Sequence, residues 1–79
     1  MKKALEYIVT SIVDAPEKVE ISENEDNGVV NFTIKVDPSD MGRIIGKSGK
    51  VIRGIRNTIK ILAIKQNKKI NITLLQTPS

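Results

Sequence analysis

Apolar residues recur along the chain in two rhythms, and the switch between them marks the elements. Leu5, Ile8, Val9 and Ile12 are spaced i, i+3, i+4 and i+7, which predicts an amphipathic helix over residues 2–13, ended before Pro16. The period then falls to two. Val19 and Ile21 alternate with Lys18, Glu20 and Ser22, and Val30, Phe32, Ile34 and Val36 alternate with Asn31, Thr33 and Lys35, predicting two half-buried strands. Asn27-Gly28 between them accepts positive φ at both positions, so a tight hairpin turn is expected, with the acidic run Glu23 to Asp26 as a solvated loop.

Asp37 before Pro38 predicts a helix start, because proline at the first helical position gives up an N–H that would have no partner. That short helix is expected to reach Ile45 and stop before Gly46, and Ser48 is expected to cap the next one. The following helix spans about Lys50 to Gln66, with Val51, Ile52, Ile55, Ile59 and Leu62 on one stripe; Gly54 inside it costs about 1 kcal/mol. Ile70, Ile72 and Leu74 then alternate with Asn71 and Thr73 as a last strand. The order is α-β-β-α-α-β. Strands with one apolar face imply a three-stranded sheet with all three helices on that face, an α+β sandwich. The expected divisions are a leading helix at 1–15, a hairpin at 16–37, a helix-turn-helix unit at 38–66, a strand at 69–75 and a tail at 76–79, all in one domain.

Length and composition narrow the function. A chain of 79 residues supports one small core, and it contains neither His nor Cys. The usual zinc ligands, the thiol nucleophile and the commonest general base are therefore missing, so no enzyme and no cofactor is expected, and a binding role becomes the default. Lys2 and Lys3 resemble the start of a signal peptide, but Glu6, Thr10, Ser11 and Asp14 interrupt the apolar stretch that such a peptide needs behind them. The longest apolar run, Ile61 to Ile64, is far short of the roughly 20 residues of a membrane helix. A cytoplasmic protein with no membrane insertion is expected.

Charge is divided sharply. Residues 1–40 hold all nine acids against four lysines, whereas residues 41–79 hold nine lysines and arginines and no acid. A charge run on one helix is commonly just a solvated face, but nine unopposed cations favour a polyanionic partner. Within that half, Gly46-Lys47-Ser48-Gly49 joins two helices by a corner that leaves the backbone bare, which suits close approach of a phosphodiester strand. The first turn of the next helix carries Lys50 where an acid would ordinarily complement the helix dipole, so an external anion is expected there. Taken alone, a G-x-x-G corner is more often pure geometry.

Ile44-Ile45-Gly46-Lys47-Ser48-Gly49-Lys50-Val51-Ile52 resembles the signature of the KH domain: an apolar pair, G-x-x-G, then isoleucine three residues on. The element order is similar to the type II KH arrangement, and the resemblance covers the whole chain. It implies single-stranded RNA binding, in an RNA chaperone or post-transcriptional regulator, with the loop gripping the backbone of about four nucleotides. On that resemblance Gly46 and Gly49 give backbone access, Lys47 and Ser48 face phosphates, and Arg43, Lys50 and Arg53 extend the cationic edge. Ile44 and Ile45 belong either to the core or to an apolar groove for bases. Arg56 and Lys60 lie further round the helix, where solvated face and secondary phosphate contact are both open. Phe32 shares the apolar strand face and is assigned to the core, and Tyr7 is assigned to a helix edge, so aromatic stacking of bases is not expected.

Three rivals compete with RNA binding. A nucleotide-binding P-loop fails because only three residues separate Gly42 from Gly46, one fewer than the motif needs, and no buried strand precedes it. A DNA-binding helix-turn-helix module is better, but Arg53, Arg56 and Lys60 suit phosphates rather than base edges. An interaction or dimerisation adaptor that keeps the KH fold is the third. Partners are implied from two sources. Small bacterial KH proteins of this kind imply a larger RNA-binding partner carrying its own KH domain. The chain itself predicts a homodimer, because Ile61 and Ile64 project away from the core stripe while Gly54 and Asn57 beside them leave room for a twin helix.

Overall fold

The computed structural model describes residues 1–76. It contains α1 (Lys2–Ile12), β1 (Glu20–Asp26), β2 (Val29–Val36), α2 (Met41–Ile45), α3 (Lys50–Lys65) and β3 (Lys69–Gln76), with single 3-10 turns at Pro16–Lys18, Pro38–Asp40 and Lys47–Gly49. The order is the expected α-β-β-α-α-β. The strands form one mixed sheet in the order β1-β2-β3, with β1 antiparallel and β3 parallel to the central β2.

Strict alternation in β2 buries Val30, Phe32, Ile34 and Val36, each at 1% exposure or less. The helices close over that face: Leu5 and Val9 from α1, Ile44 from α2 and Ile55 and Ile59 from α3 complete the cluster. Each such side chain contributes roughly 1.5–3 kcal/mol when fully buried. The opposite face is polar, and Asn71 donates to Asn31 across it at 3.1 Å.

Asn27 and Gly28 take φ of 51° and 78°, the two left-handed residues of the expected hairpin turn. The acidic run before it departs from expectation. Glu23 to Asp26 is not a loop: it continues β1, paired residue by residue with Phe32 to Val29. The tight turn supplies the register, and the ladder imposes extended backbone on residues with no apolar face of their own. The tail also begins later than expected, since β3 runs through Gln76; residues 77–79 lie outside the described residues. Tyr7 does not pack at an edge but stands 75% exposed on α1. The end of α3 is closed by a Schellman arrangement, with Asn67 left-handed at φ 57° and the Lys68 N–H bonded to the Ala63 carbonyl at 2.9 Å. Among the described residues no helix is long and apolar enough to cross a membrane.

Candidate nucleic-acid interface

The Gly46–Gly49 corner lies in the connection between β2 and β3. Asp37 begins that connection as expected: its carboxylate accepts the Ser39 N–H at 3.0 Å and also the Ser39 hydroxyl. Those bonds, the hydroxyl's foremost, hold the Asp37 carboxyl below the ordinary aspartate value, with Lys18 helping and desolvation opposing. Pro38 then starts a 3-10 turn that leads into the single α-turn of α2.

Asp40 is the anchor of this region, 1% exposed. It accepts the N–H groups of Asp14 and Ala15 at 3.0 and 3.1 Å, stitching the end of α1 to the start of α2. Arg43 sits beside it, with Nη2 2.8 Å from Asp14 and Nε 3.5 Å from Asp40. Arg43 was expected among the RNA-contacting residues; its guanidinium is instead committed to two carboxylates. Of the two alternatives open to Ile44, the core one holds. It is fully buried in the core, whereas Ile45 emerges at 38% exposure beside the loop, so the apolar pair divides between core and surface.

After α2 the chain turns through three residues of positive φ. Gly46 (φ 74°, ψ 174°) lies in a region open essentially to glycine alone, and Ser48 (φ 56°) and Gly49 (φ 75°) are both left-handed. Ser48 therefore does not cap α3 with its side chain; Gly49 occupies the cap position and no side chain serves the first N–H groups. Lys47 and Ser48 project from the corner, both exposed. Arg53, one turn into α3, reaches back so that Nη2 donates to the Ser48 carbonyl at 3.3 Å, a contact that helps offset the about 1–2 kcal/mol of left-handed strain at Ser48.

Lys50, Arg53, Arg56 and Lys60 are exposed along α3, and among the described residues none has an acid within 4 Å. The uncapped helix N-terminus, Lys50 and Arg53 lie at the corner, with Arg56 and Lys60 further along α3, an arrangement suited to a chain of phosphates. Ile61 and Ile64 are exposed at 58% and 61%, next to exposed Gly54 and Asn57. Among the described residues no group of three or more His, Cys, Asp or Glu is placed to hold a metal ion. The buried role of Asp40 had no counterpart in the sequence reading, since nothing in the pattern distinguishes a buried aspartate from an exposed one.

The chain is similar to known proteins along nearly its whole length. Residues 2–74 match the family model described as KhpA/KhpB, KH domain. The RNA-binding protein KhpA of Clostridium acetobutylicum is 40% identical over 75 residues, spanning 95% of this chain and 100% of that protein. Its counterpart in Chlamydia trachomatis is 34% identical over 76 residues, spanning 96% and 97%. Among solved structures, Aquifex aeolicus Era bound to GDP and AlF4− superposes with a TM-score of 0.67 at 18% identity, over 95% of this chain. Era in complex with MgGDPNP and nucleotides 1506–1542 of 16S ribosomal RNA gives 0.58 at 17% identity, over 91% of this chain. The chain spans only 30% and 28% of those two Era chains, and at such identity the likeness is one of fold.

Proposed function

The chain belongs to the KhpA/KhpB KH domain family, and from that premise we propose that it binds single-stranded RNA by gripping the phosphate backbone at the Gly46–Gly49 corner. The observation that carries the reading is the corner itself: a left-handed turn that presents Lys47 and Ser48 in front of an uncapped helix start, with no acid in reach. Gly46 and Gly49 give the strand access to the backbone. Lys47, Ser48 and Lys50 contact phosphates directly. Arg53 holds the loop through Ser48 and adds its charge at the same edge. Ile45 offers apolar surface to a base, and Arg43 and Ile44 serve the fold.

A strand of RNA as ligand implies a cytoplasmic protein. The RNA-binding work is shared with protein partners: a second copy of the chain, or a larger KH-containing protein of the KhpB kind, docks on Ile61, Ile64, Gly54 and Asn57 of α3.

The test is the double substitution Lys47→Asp with Ser48→Asp. Aspartate tolerates the left-handed conformation that residue 48 requires, and both positions are exposed, so circular dichroism and melting should stay as in the wild type. Affinity for a labelled single-stranded RNA should be lost. Wild-type affinity should also fall with salt at a slope of about −0.7 per phosphate, for roughly two to four contacts. Unchanged RNA affinity in the double variant rejects the proposal, and duplex DNA competing as well as single-stranded RNA would favour a helix-turn-helix reading.

A further inference from the structure

β1 forms one edge of the sheet. It pairs with β2 residue for residue over all seven positions, and among the described residues no strand lies on its other side. In a two-residue hairpin the pair that closes the turn, here Asp26 and Val29, exchanges both backbone bonds, and such pairs alternate with unbonded ones. The N–H and C=O groups of Asp26, Asn24, Ser22 and Glu20 therefore point to β2, and those of Ile21, Glu23 and Glu25 point away from the sheet. Every residue of β1 except Ile21 is exposed. The strand has no proline and no bulge, so this outer row of backbone donors and acceptors is a regular template for another extended chain.

The side chains along that row select the occupant. Glu25 is held by Lys68 at 2.7 Å, whereas Glu20, Glu23 and Asp26 have no cation within 4 Å among the described residues, and β1 itself carries no basic residue. Edge charges commonly guard against self-pairing; charges of one sign also admit a chain of the opposite sign. A second β1 would set acid against acid, and the same carboxylates repel a chain of phosphates. Ile21, half-buried against the core, leaves apolar surface at the rim. We propose that β1 is a docking edge for a lysine- or arginine-rich extended protein segment, which adds to the sheet as a fourth strand. Its backbone bonds Ile21, Glu23 and Glu25, its cations lie against the acids, and an aliphatic residue meets Ile21. The edge shares no residue with the Gly46–Gly49 corner, so this docking does not rest on the RNA reading.

The experiment is a 15N chemical-shift titration of the full chain with the peptide Lys-Lys-Thr-Lys-Thr-Val-Lys. As an antiparallel strand it sets lysines opposite Asp26, Glu25, Glu23 and Glu20, and valine opposite Ile21. The amides of Ile21, Glu23 and Glu25 should shift and gain protection from hydrogen exchange, while those of Gly46 to Arg53 stay still. The same peptide N-methylated at its second, fourth and sixth residues keeps its charge but loses the N–H groups that face β1, and should bind about tenfold more weakly. The variant Glu20→Gln with Glu23→Gln, both positions being exposed, should bind the unmodified peptide about tenfold more weakly as well. No response of the three amides overturns the proposal. Equal binding of the N-methylated peptide shows charge attraction without strand addition and also overturns it. Protection of these amides that rises with the concentration of the free protein would assign the edge to a second copy. A shift of the same amides by a single-stranded RNA of about ten nucleotides would assign it to RNA, and either result overturns the proposal.

Discussion

Val51 occupies the space in which a side chain on Gly46 would begin: a β-carbon placed there lies 2.8 Å from the Val51 backbone nitrogen, an atom that cannot step aside. Gly46 also has φ 74° and ψ 174°, which side-chain-bearing residues essentially never adopt. Gly46→Ala should therefore cost about 3 kcal/mol or more, a large share of the about 4–12 kcal/mol available to a domain of this size. Gly49, left-handed but with open space around it, should lose only about 1–2 kcal/mol as alanine. Urea unfolding of the two variants checks this; equal losses would contradict it. Loss of RNA binding in Gly46→Ala thus reports unfolding, and the aspartate variant at residues 47 and 48 is the cleaner probe of the interface.

Asp40 supplies the second prediction. Replacing it by alanine leaves the N–H groups of Asp14 and Ala15 without their acceptor and deprives Arg43 of one carboxylate. A loss of about 2–4 kcal/mol is expected, with Asp40→Asn milder because one acceptor oxygen survives. Thermal melts of the two variants should rank in that order.

The pattern of apolar residues revealed the fold where burial is one-sided. Val30, Phe32, Ile34 and Val36 announce their own burial because alternation has one physical cause in a half-covered sheet. Glu23 to Asp26 gave no such sign, since their strand is imposed by pairing with β2 rather than by their own composition. The candidate site was legible as a motif but not as a set of contacts. Gly46 and Gly49 stand where the corner needs them; Arg43, judged by charge alone, is tied to Asp14 and Asp40 instead. Ile44 and Ile45 are identical in the sequence, and only the rotation of α2 sends one into the core. Lys68 and Lys69 were visible as charges, but that they stand across from Arg56 and Lys60 depends on how β3 lies against α3.

Self-association makes a third prediction. Ile61 is 58% exposed on α3, so Ile61→Lys should disturb a twin-helix contact without touching the core. Burying Ile61 and Ile64 against their own copies would contribute a few kcal/mol at about 1.5–3 kcal/mol per side chain. Sedimentation should show a wild-type dimer and an Ile61→Lys monomer with an unaltered circular dichroism spectrum. A wild type that stays monomeric at high micromolar concentration rules out the twin-helix partner.

The Asp37 carboxyl gives a fourth, concerning pH. Its folded value lies below the unfolded value of about 3.9, so the bonds from Ser39 stabilise the fold fully well above that value. Their contribution is lost as pH falls through the folded value. Asp37→Asn should therefore lower the melting temperature at neutral pH, and the difference from wild type should shrink toward zero under strong acid. A constant difference across that range would show that ionisation of Asp37 is irrelevant.

Because β3 pairs in parallel with β2, it cannot succeed it as a hairpin, and the whole segment from Asp37 to Lys68 is looped out between two strands that must find each other. Its far end is pinned beside the start of β2, where the Lys69 N–H bonds the Gly28 carbonyl at 3.0 Å. Pairings of such sequence separation carry their loop-closure entropy before any contact rewards it. This sets the order of events in folding: the β1–β2 hairpin forms locally, and α2, the glycine corner and α3 are locked in place only when β3 docks. On a ribosome, the corner would stay a loose turn until residues 69–76 had emerged, so a chain still being synthesised could not hold RNA there before its last strand was made.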